Sequence, residues 1–295
     1  SCTKRAIRRT LRQFVLGSAA GMSGLTVQHL LDMTYTPGDS IYRALGRVTQ
    51  RIAVGEIPGD ARQFFFGARL VALVKSDLSL RPIACGEVLR RLAGKLLCAA
   101  VKKEVATLLL ADGQVGVAIP GGSEGMTDAA KRIVGTWRRT GERERVLFKG
   151  DFVNAFNMVD RTKLLEVCHA RMPVLQGYAV GAYGAASQLL FGDRVVSSTS
   201  GVHQGDPLGP LLFSLVVAAL WREVRHAVDA AGLALDFGGT STTARGQATS
   251  NRCAALSQPS PVSDRSTASS STPRSAKSSA AISTAAELRT RSRMS

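Results

Sequence analysis

Helical and strand-like apolar periods mingle along this chain without strict alternation, which predicts an α+β fold rather than a doubly wound sheet. With 295 residues, 45% of them hydrophobic, the chain can bury a substantial core. The periods stop at Gly238, where Ser, Thr, Ala, Arg and Pro take over and aromatic residues vanish. A folded body followed by a disordered tail is therefore expected, because such a tail cannot offset its ordering entropy by burial.

In chain order, Ser1 to Phe14 is basic and helical in pattern, with Lys4, Arg5, Arg8, Arg9 and Arg12. A turn at Gly21-Met22-Ser23-Gly24 precedes helices near Thr26–Met33 and Ser40–Val54. Ala68–Val74 reads as a strand, with Arg81–Ala84 its partner across a short polar turn. Glu87–Leu110 is a long helix carrying Arg90, Arg91, Lys95, Lys102 and Lys103. Val115–Ile119 reads as a short strand, Pro120–Gly122 as a turn and Ser123–Trp137 as a helix. Arg145–Asp151 is a strand entering a helical turn at Asn154. Helices at Arg161–Arg171 and Val174–Tyr183, a hairpin over Gln188–Thr199 around Gly192-Asp193, and a helix over Leu208–Val228 complete the body.

The formal net charge of +16, from 38 basic and 22 acidic side chains, favours a polyanionic partner such as nucleic acid. No apolar run reaches the roughly 20 residues of a bilayer helix. The five cysteines are scattered rather than closely paired, which fits a reducing compartment better than a zinc site or a disulfide framework. Cys168-His169 reads as ordinary helix packing, since adjacent side chains on a helix diverge. Ser1 at the first position, with no apolar signal segment after it, reads as a piece of a longer chain.

Two segments carry the chemistry. Gly201 to Leu215, GVHQGDPLGPLLFSL, combines a turn, a rigid helix start and a polar pair, and reads as a substrate platform. Asp206 suits a helix cap, Pro207 suits the first helical position, and Gly205 lets backbone approach a ligand. The strand Arg145–Asp151 ends in an acid followed by Phe152-Val153-Asn154-Ala155-Phe156. A carboxylate there is well placed to hold Mg²⁺, although two-ion phosphoryl transfer requires further carboxylates.

Together FKGDFVNAFNMVDR and SGVHQGDPLGPLLFS resemble the reverse transcriptase domain of a non-LTR retrotransposon. Phe65 to Lys95 is similar to the fingers of that family, as is Gln114-Val115-Gly116, and the resemblance runs from Gly21 to Trp221. It implies a right-hand polymerase divided into a basic N-terminal segment (1–20), a fingers-like region (21–144), a partial palm (145–237) and the tail (238–295). It implies RNA template, DNA primer and dNTP as partners, two Mg²⁺ ions as cofactors, and nuclear or nucleocytoplasmic residence. Asp151 is then the catalytic, metal-binding aspartate, with the Phe152 carbonyl beside it. Phe156 is the aromatic gate under the incoming sugar, Lys75 and Arg81 grip the triphosphate, and Gln204 and Gly205 lie against nucleotide and template base. The chain departs from the family at Met22, Ser76, Leu78, Gly150 and Val153, and Gly150 is expected to weaken the strand that carries Asp151.

The family's next motif, a Tyr-Leu-Asp-Asp hairpin, is missing. After Leu233-Ala234-Leu235-Asp236-Phe237 the chain reads Gly238-Gly239-Thr240-Ser241-Thr242-Thr243-Ala244-Arg245. Joining the last base of each codon to the first two of the next permits Trp-Tyr-Leu-Asp-Asp-Gly-Thr. The same frame permits Leu-Asn-Pro-Ala-Lys-Cys-Glu across Ser271–Ser278. A frameshift just before Gly238 is the expectation, leaving Asp151 alone, the palm sheet with an unpaired edge, and no polymerase activity. A nonenzymatic nucleic-acid binder is the alternative. A serine hydrolase also matches the pattern Gly121-Gly122-Ser123-Glu124-Gly125, with Ser123 as nucleophile and His203 and Asp151 as partners.

Overall fold

Thr3 opens α1 (Lys4–Leu11) by accepting the Ala6 N–H at 3.2 Å, a side-chain cap that satisfies one orphan donor of the first turn. Thr26 does the same for α2 (Val27–Met33), and His29 returns a bond to the Thr26 N–H to close a capping box. The helix α3 (Ser40–Val54) stops at Gly55 in the left-handed conformation. The next helix, α4 (Gly59–Phe66), was not legible in the apolar pattern because it buries Phe66 alone. The computed structural model describes residues 2–74, 76, 78, 80–142, 145–232, 234–239 and 243–249.

Strands β1 (Ala68–Val74) and β2 (Leu80–Gly86) pair antiparallel, with Val74 opposite Leu80. Beyond them lie α5 (Val88–Ala111), α6 (Gly122–Thr140), β3 (Arg145–Asp151), the single turn α7 (Ala155–Met158) and α8 (Arg161–Arg171). A 3₁₀ turn at Pro173–Leu175 leads into α9 (Gln176–Tyr183), so the helix expected from Val174 begins as a tighter turn. The hairpin β4 (Ser187–Phe191) and β5 (Arg194–Ser198) follows as expected. Then come α10 (Gly209–Ala230), β6 (Ala234–Gly239) and β7 (Thr243–Thr249). These elements make an α+β fold with two sheets, one in the order β2-β1-β4-β5 and one in the order β3-β7-β6.

Two expectations require correction. Val115–Ile119 is irregular rather than a strand. Ala118 sits at φ 63, outside the extended region a ladder requires, and the Val115 carbonyl folds back against Gly122 at the start of α6. The second correction concerns the edge of β3. β7 pairs with it along its whole length, from Arg145 opposite Thr249 to Asp151 opposite Thr243. The strand also runs through Gly150 without interruption. Residues 238, 239 and 243–249, which composition assigned to a disordered tail, are thus in strands, and the rest of that tail lies outside the described residues.

The core divides into two apolar clusters that both include the half-buried Leu89 of α5. Helix α5 also ties distant parts of the chain through polar groups. At its start, the buried Glu87 carboxylate accepts the Ser23 N–H at 2.8 Å and the Ser23 hydroxyl at 2.6 Å. At its end, Asp112 accepts Arg171 of α8 at 2.6 Å and Arg222 of α10 at 2.7 Å. The first turn of α9 meets the end of α3 backbone to backbone, and a Cβ on Gly177 would stand 2.3 Å from the Val54 carbonyl oxygen. Gly177→Ala is therefore expected to destabilise the fold by about 1–3 kcal/mol through overpacking. Urea unfolding should show a lowered midpoint with an unchanged slope.

Candidate functional site

The loop from Ser198 to Leu208 joins β5 to α10, and two buried arginines fix its path. Arg161, at the start of α8, donates to the Gly201 carbonyl at 2.9 Å, the Ser198 carbonyl at 2.7 Å, the Ser198 hydroxyl at 2.8 Å and the Ser200 carbonyl at 3.2 Å. Arg90, in the first turn of α5, donates to Asp206 at 2.8 Å with both side chains almost wholly buried. It also donates to the Phe66 carbonyl at 3.0 Å and to the Tyr178 hydroxyl oxygen at 3.2 Å. Asp206 is filled on its other sides by the Tyr178 hydroxyl at 2.9 Å, the Tyr183 hydroxyl at 2.5 Å and the Leu208 N–H at 3.0 Å.

This corrects the role expected for Asp206. Its bond to the Leu208 N–H resembles a cap, but α10 starts at Gly209 with Pro210, not Pro207, in its first turn. The carboxylate serves first as the counter-ion of Arg90. Burial alone would raise its pKa; the Arg90 charge and the bonds from Tyr183, Leu208 and Tyr178 overcome that and hold it below the ordinary carboxylate range. Burial likewise opposes the Arg90 charge, and Tyr178, Asp206 and Tyr183 outweigh it, so the guanidinium lies above its ordinary value.

His203 completes the network. Its Nδ1 lies 3.2 Å from the Arg90 guanidinium and its Nε2 lies 3.2 Å from both Ser187 and Ser198 hydroxyls. Arg90 has only protons to give, so Nδ1 accepts and the ring proton sits on Nε2. Burial, then the Arg90 charge, hold the imidazole down to about 3. Both ring nitrogens are thus engaged, and Ser123 is an exposed residue in the first turn of α6 with no strand before it. The geometry contradicts the nucleophile elbow and the Ser123–His203–Asp151 triad.

The pinned loop is bonded to two of the segments that carry residues named from sequence. The Val202 N–H donates to the Phe156 carbonyl at 2.7 Å and the Gly201 N–H to the Val159 carbonyl at 2.9 Å, binding the loop to α7. The Ala84 N–H donates to the Gln204 carbonyl at 2.7 Å, binding it to β2, the strand that carries the exposed Arg81. Gly205 adopts φ +129, and a Cβ there would stand 2.4 Å from the Ala84 carbonyl oxygen. Only glycine permits that approach. The Phe156 ring is half-buried and tilted against Phe213 with centroids 4.9 Å apart. Phe152 meets Phe213 edge-on, at 6.4 Å.

Asp151 is exposed at the end of β3, and one carboxylate oxygen accepts the Phe152 N–H at 3.1 Å. Its Cα partner on β7 is Thr243. Among the described residues no group of three or more His, Cys, Asp or Glu side chains is placed to share a cation. A lone carboxylate and the Phe152 carbonyl do not fit a two-ion centre, which requires further acids. Lys75 lies outside the described residues.

The solved structures similar to this chain include two telomerases. One is apo telomerase from Candida tropicalis truncated from its C-terminal domain, at 12% identity over 64% of this chain and 44% of that chain, with a TM-score of 0.44. The other is telomerase from Candida albicans in complex with a fragment of telomeric RNA, at 10% identity over 65% of this chain and 39% of that chain, with a TM-score of 0.46. The chain thus spans less than half the length of either telomerase chain. No family model and no curated protein matches it.

Sequence reasoning missed Arg90 and Arg161 as organisers of the site. Arg90→Met or Asp206→Leu alone is expected to cost about 3–5 kcal/mol, because each strands a buried charge. The double variant should cost much less than the sum, as a double-mutant cycle in denaturant will show. His203 supplies a pH dependence. An unfolded imidazole takes a proton near pH 6.5 while the folded one stays neutral to about 3, so the unfolded state binds more protons in that window and stability falls as pH drops through it. The expected slope approaches about 1.4 kcal/mol per pH unit below pH 6. His203→Gln should remove that component in melts between pH 7 and 4.

Proposed function

We propose that this chain is the fingers and partial palm of a reverse transcriptase of the non-LTR retrotransposon type, which engages RNA template, DNA primer and dNTP without extending the primer. The observation that carries the reading is the convergence at the pinned loop. Gln204 is bonded to the strand of Arg81 on one side, with Gly205 packed against the same strand, and the loop is bonded to the backbone of Phe156 on the other. The segments that carry an aromatic ring, a polar amide and an exposed guanidinium are thereby tied to one loop, and those groups suit a sugar, a base and a triphosphate respectively.

The inactivity follows from the single carboxylate. In the displaced reading frame, Tyr-Leu-Asp-Asp falls on positions 240–243, and position 243 is the Cα partner of Asp151. That register supports a frameshift just before Gly238, since a restored acid would stand directly across the ladder from Asp151. The intact arrangement would hold Mg²⁺ on Asp151, the Phe152 carbonyl and the restored aspartates. The chain as it stands is a nucleic-acid-binding remnant.

The nucleotide sequence tests the frame: third codon bases that do not spell Tyr-Leu-Asp-Asp across 239–243 would dispose of it. The chain itself is expected to give no Mg²⁺-dependent extension of a DNA primer on RNA. A chain translated in the displaced frame from that point should extend the primer, and Asp151→Asn should abolish the extension. Extension by the unrestored chain would refute its inactivity, and failure of the restored chain would refute the polymerase reading itself.

A further inference from the structure

Helix α1 has two faces of opposite character. Ile7, Thr10, Leu11 and Phe14 are buried, a stripe at the helical spacing i, i+3, i+4, i+7. Arg5, Arg8, Arg9 and Arg12 repeat that spacing on the other face and are all exposed. Among the described residues, none of these four side chains makes an ion pair or a hydrogen bond. Helix α3 repeats the design. Tyr42, Leu45, Thr49 and Ile52 are buried, while Arg43, Arg47 and Arg51 are exposed one turn apart.

The two helices touch where Gly46 of α3 meets the Cys2 carbonyl at 3.2 Å and the Ile7 side chain at 3.6 Å, distances measured to a Cβ built on the glycine. A groove at this junction is lined by Lys4, Arg43, Arg47 and Gln50, and a second along α3 by Arg47, Gln50, Arg51 and Glu56. The segments 2–16 and 39–56 hold eight cations and two acids. One of those acids, Asp39, already bonds Lys4 at 2.5 Å. Its carboxyl is held below the ordinary range by Lys4 and, more weakly, by Arg43.

We infer that the outer faces of α1 and α3 form a second nucleic-acid surface, which grips the phosphodiester backbone of RNA or an RNA–DNA hybrid without reading bases. Each arginine stripe runs roughly 10–12 Å at 1.5 Å per residue, long enough to meet successive phosphates of a strand. Guanidinium groups suit that ligand through paired N–H donors. A membrane surface is disfavoured, because an interfacial helix must insert its apolar face and that face of α1 is already in the core. The inference does not depend on the polymerase reading of the Asp151 region.

The test is equilibrium binding of the full chain to a random-sequence RNA, and to the matching RNA–DNA hybrid, across a salt series. Replacing Arg5, Arg8, Arg9 and Arg12 with Gln should lower the slope of log affinity against log salt by about 3, and replacing Arg43, Arg47 and Arg51 by about 2, at roughly 0.7–0.9 for each phosphate no longer neutralised. Lys at the same positions should preserve both the slope and the circular dichroism of the parent. Arg138→Gln, at an exposed cation of α6, should leave the slope contributed by both helices intact. Unchanged slopes in both Gln sets would overturn the inference. So would loss of binding in the Lys sets, or binding to phosphatidylserine vesicles with none to either nucleic acid.

Discussion

The buried pair between Arg90 and Asp206 is the constraint from which the loop geometry follows. Two charges taken out of water cost several kcal/mol each, so they persist in the interior only if every donor and acceptor is met. Tyr178, Tyr183, His203, the Phe66 carbonyl and the Leu208 N–H meet them. Since these partners come from α4, α9 and the loop itself, none can move without exposing an unpaired charge. One turn after Arg90, Gly94 lies against Pro207, whose ring carbons stand 3.4 Å from a Cβ built on that glycine. The loop is therefore held by charge at Asp206 and by contact at Pro207, and its Gln204 carbonyl has one place to go, the Ala84 N–H.

Much of the fold was legible because long apolar periods survive tertiary context. The strands Ala68–Val74 and Arg145–Asp151 and the helices Ser40–Val54 and Arg161–Arg171 stand where the pattern puts them. Where one buried residue anchors an element, as Phe66 anchors α4, the pattern has nothing to repeat. Val115–Ile119 failed for the opposite reason: its apolar residues look like a strand, but the backbone has no neighbour to pair with and folds onto α6. The β6–β7 hairpin escaped notice because ladder bonds belong to the backbone. Residues such as Gly238, Gly246 and Thr249 pair although their composition is that of a loop.

The site was legible in part for similar reasons. Phe156, Gln204, Gly205 and Arg81 were named from short motifs, and the loop's backbone bonds bring their segments together. Arg90 was hidden among the cations of a basic helix. A signal was present, since Arg90, Gly94, Leu97, Val101 and Val105 share one face of α5, and a lone arginine on an otherwise apolar or small stripe marks a buried, partnered charge. Arg161 offered less, because it directly follows the helix-capping Asp160 and reads as an ordinary first-turn residue.

The exposure of Asp151 sets it apart from the groups that maintain the fold. Its carboxylate sits at a strand end with a single local bond to the Phe152 N–H, while the buried arginines carry the loop. The exposed carboxylate and the groups that hold the loop are thus different residues of one body. The buried network around Arg90 and Asp206 makes no contact with that carboxylate. A substitution at Asp151 would therefore alter the surface of the molecule and leave its folding determinants where they are.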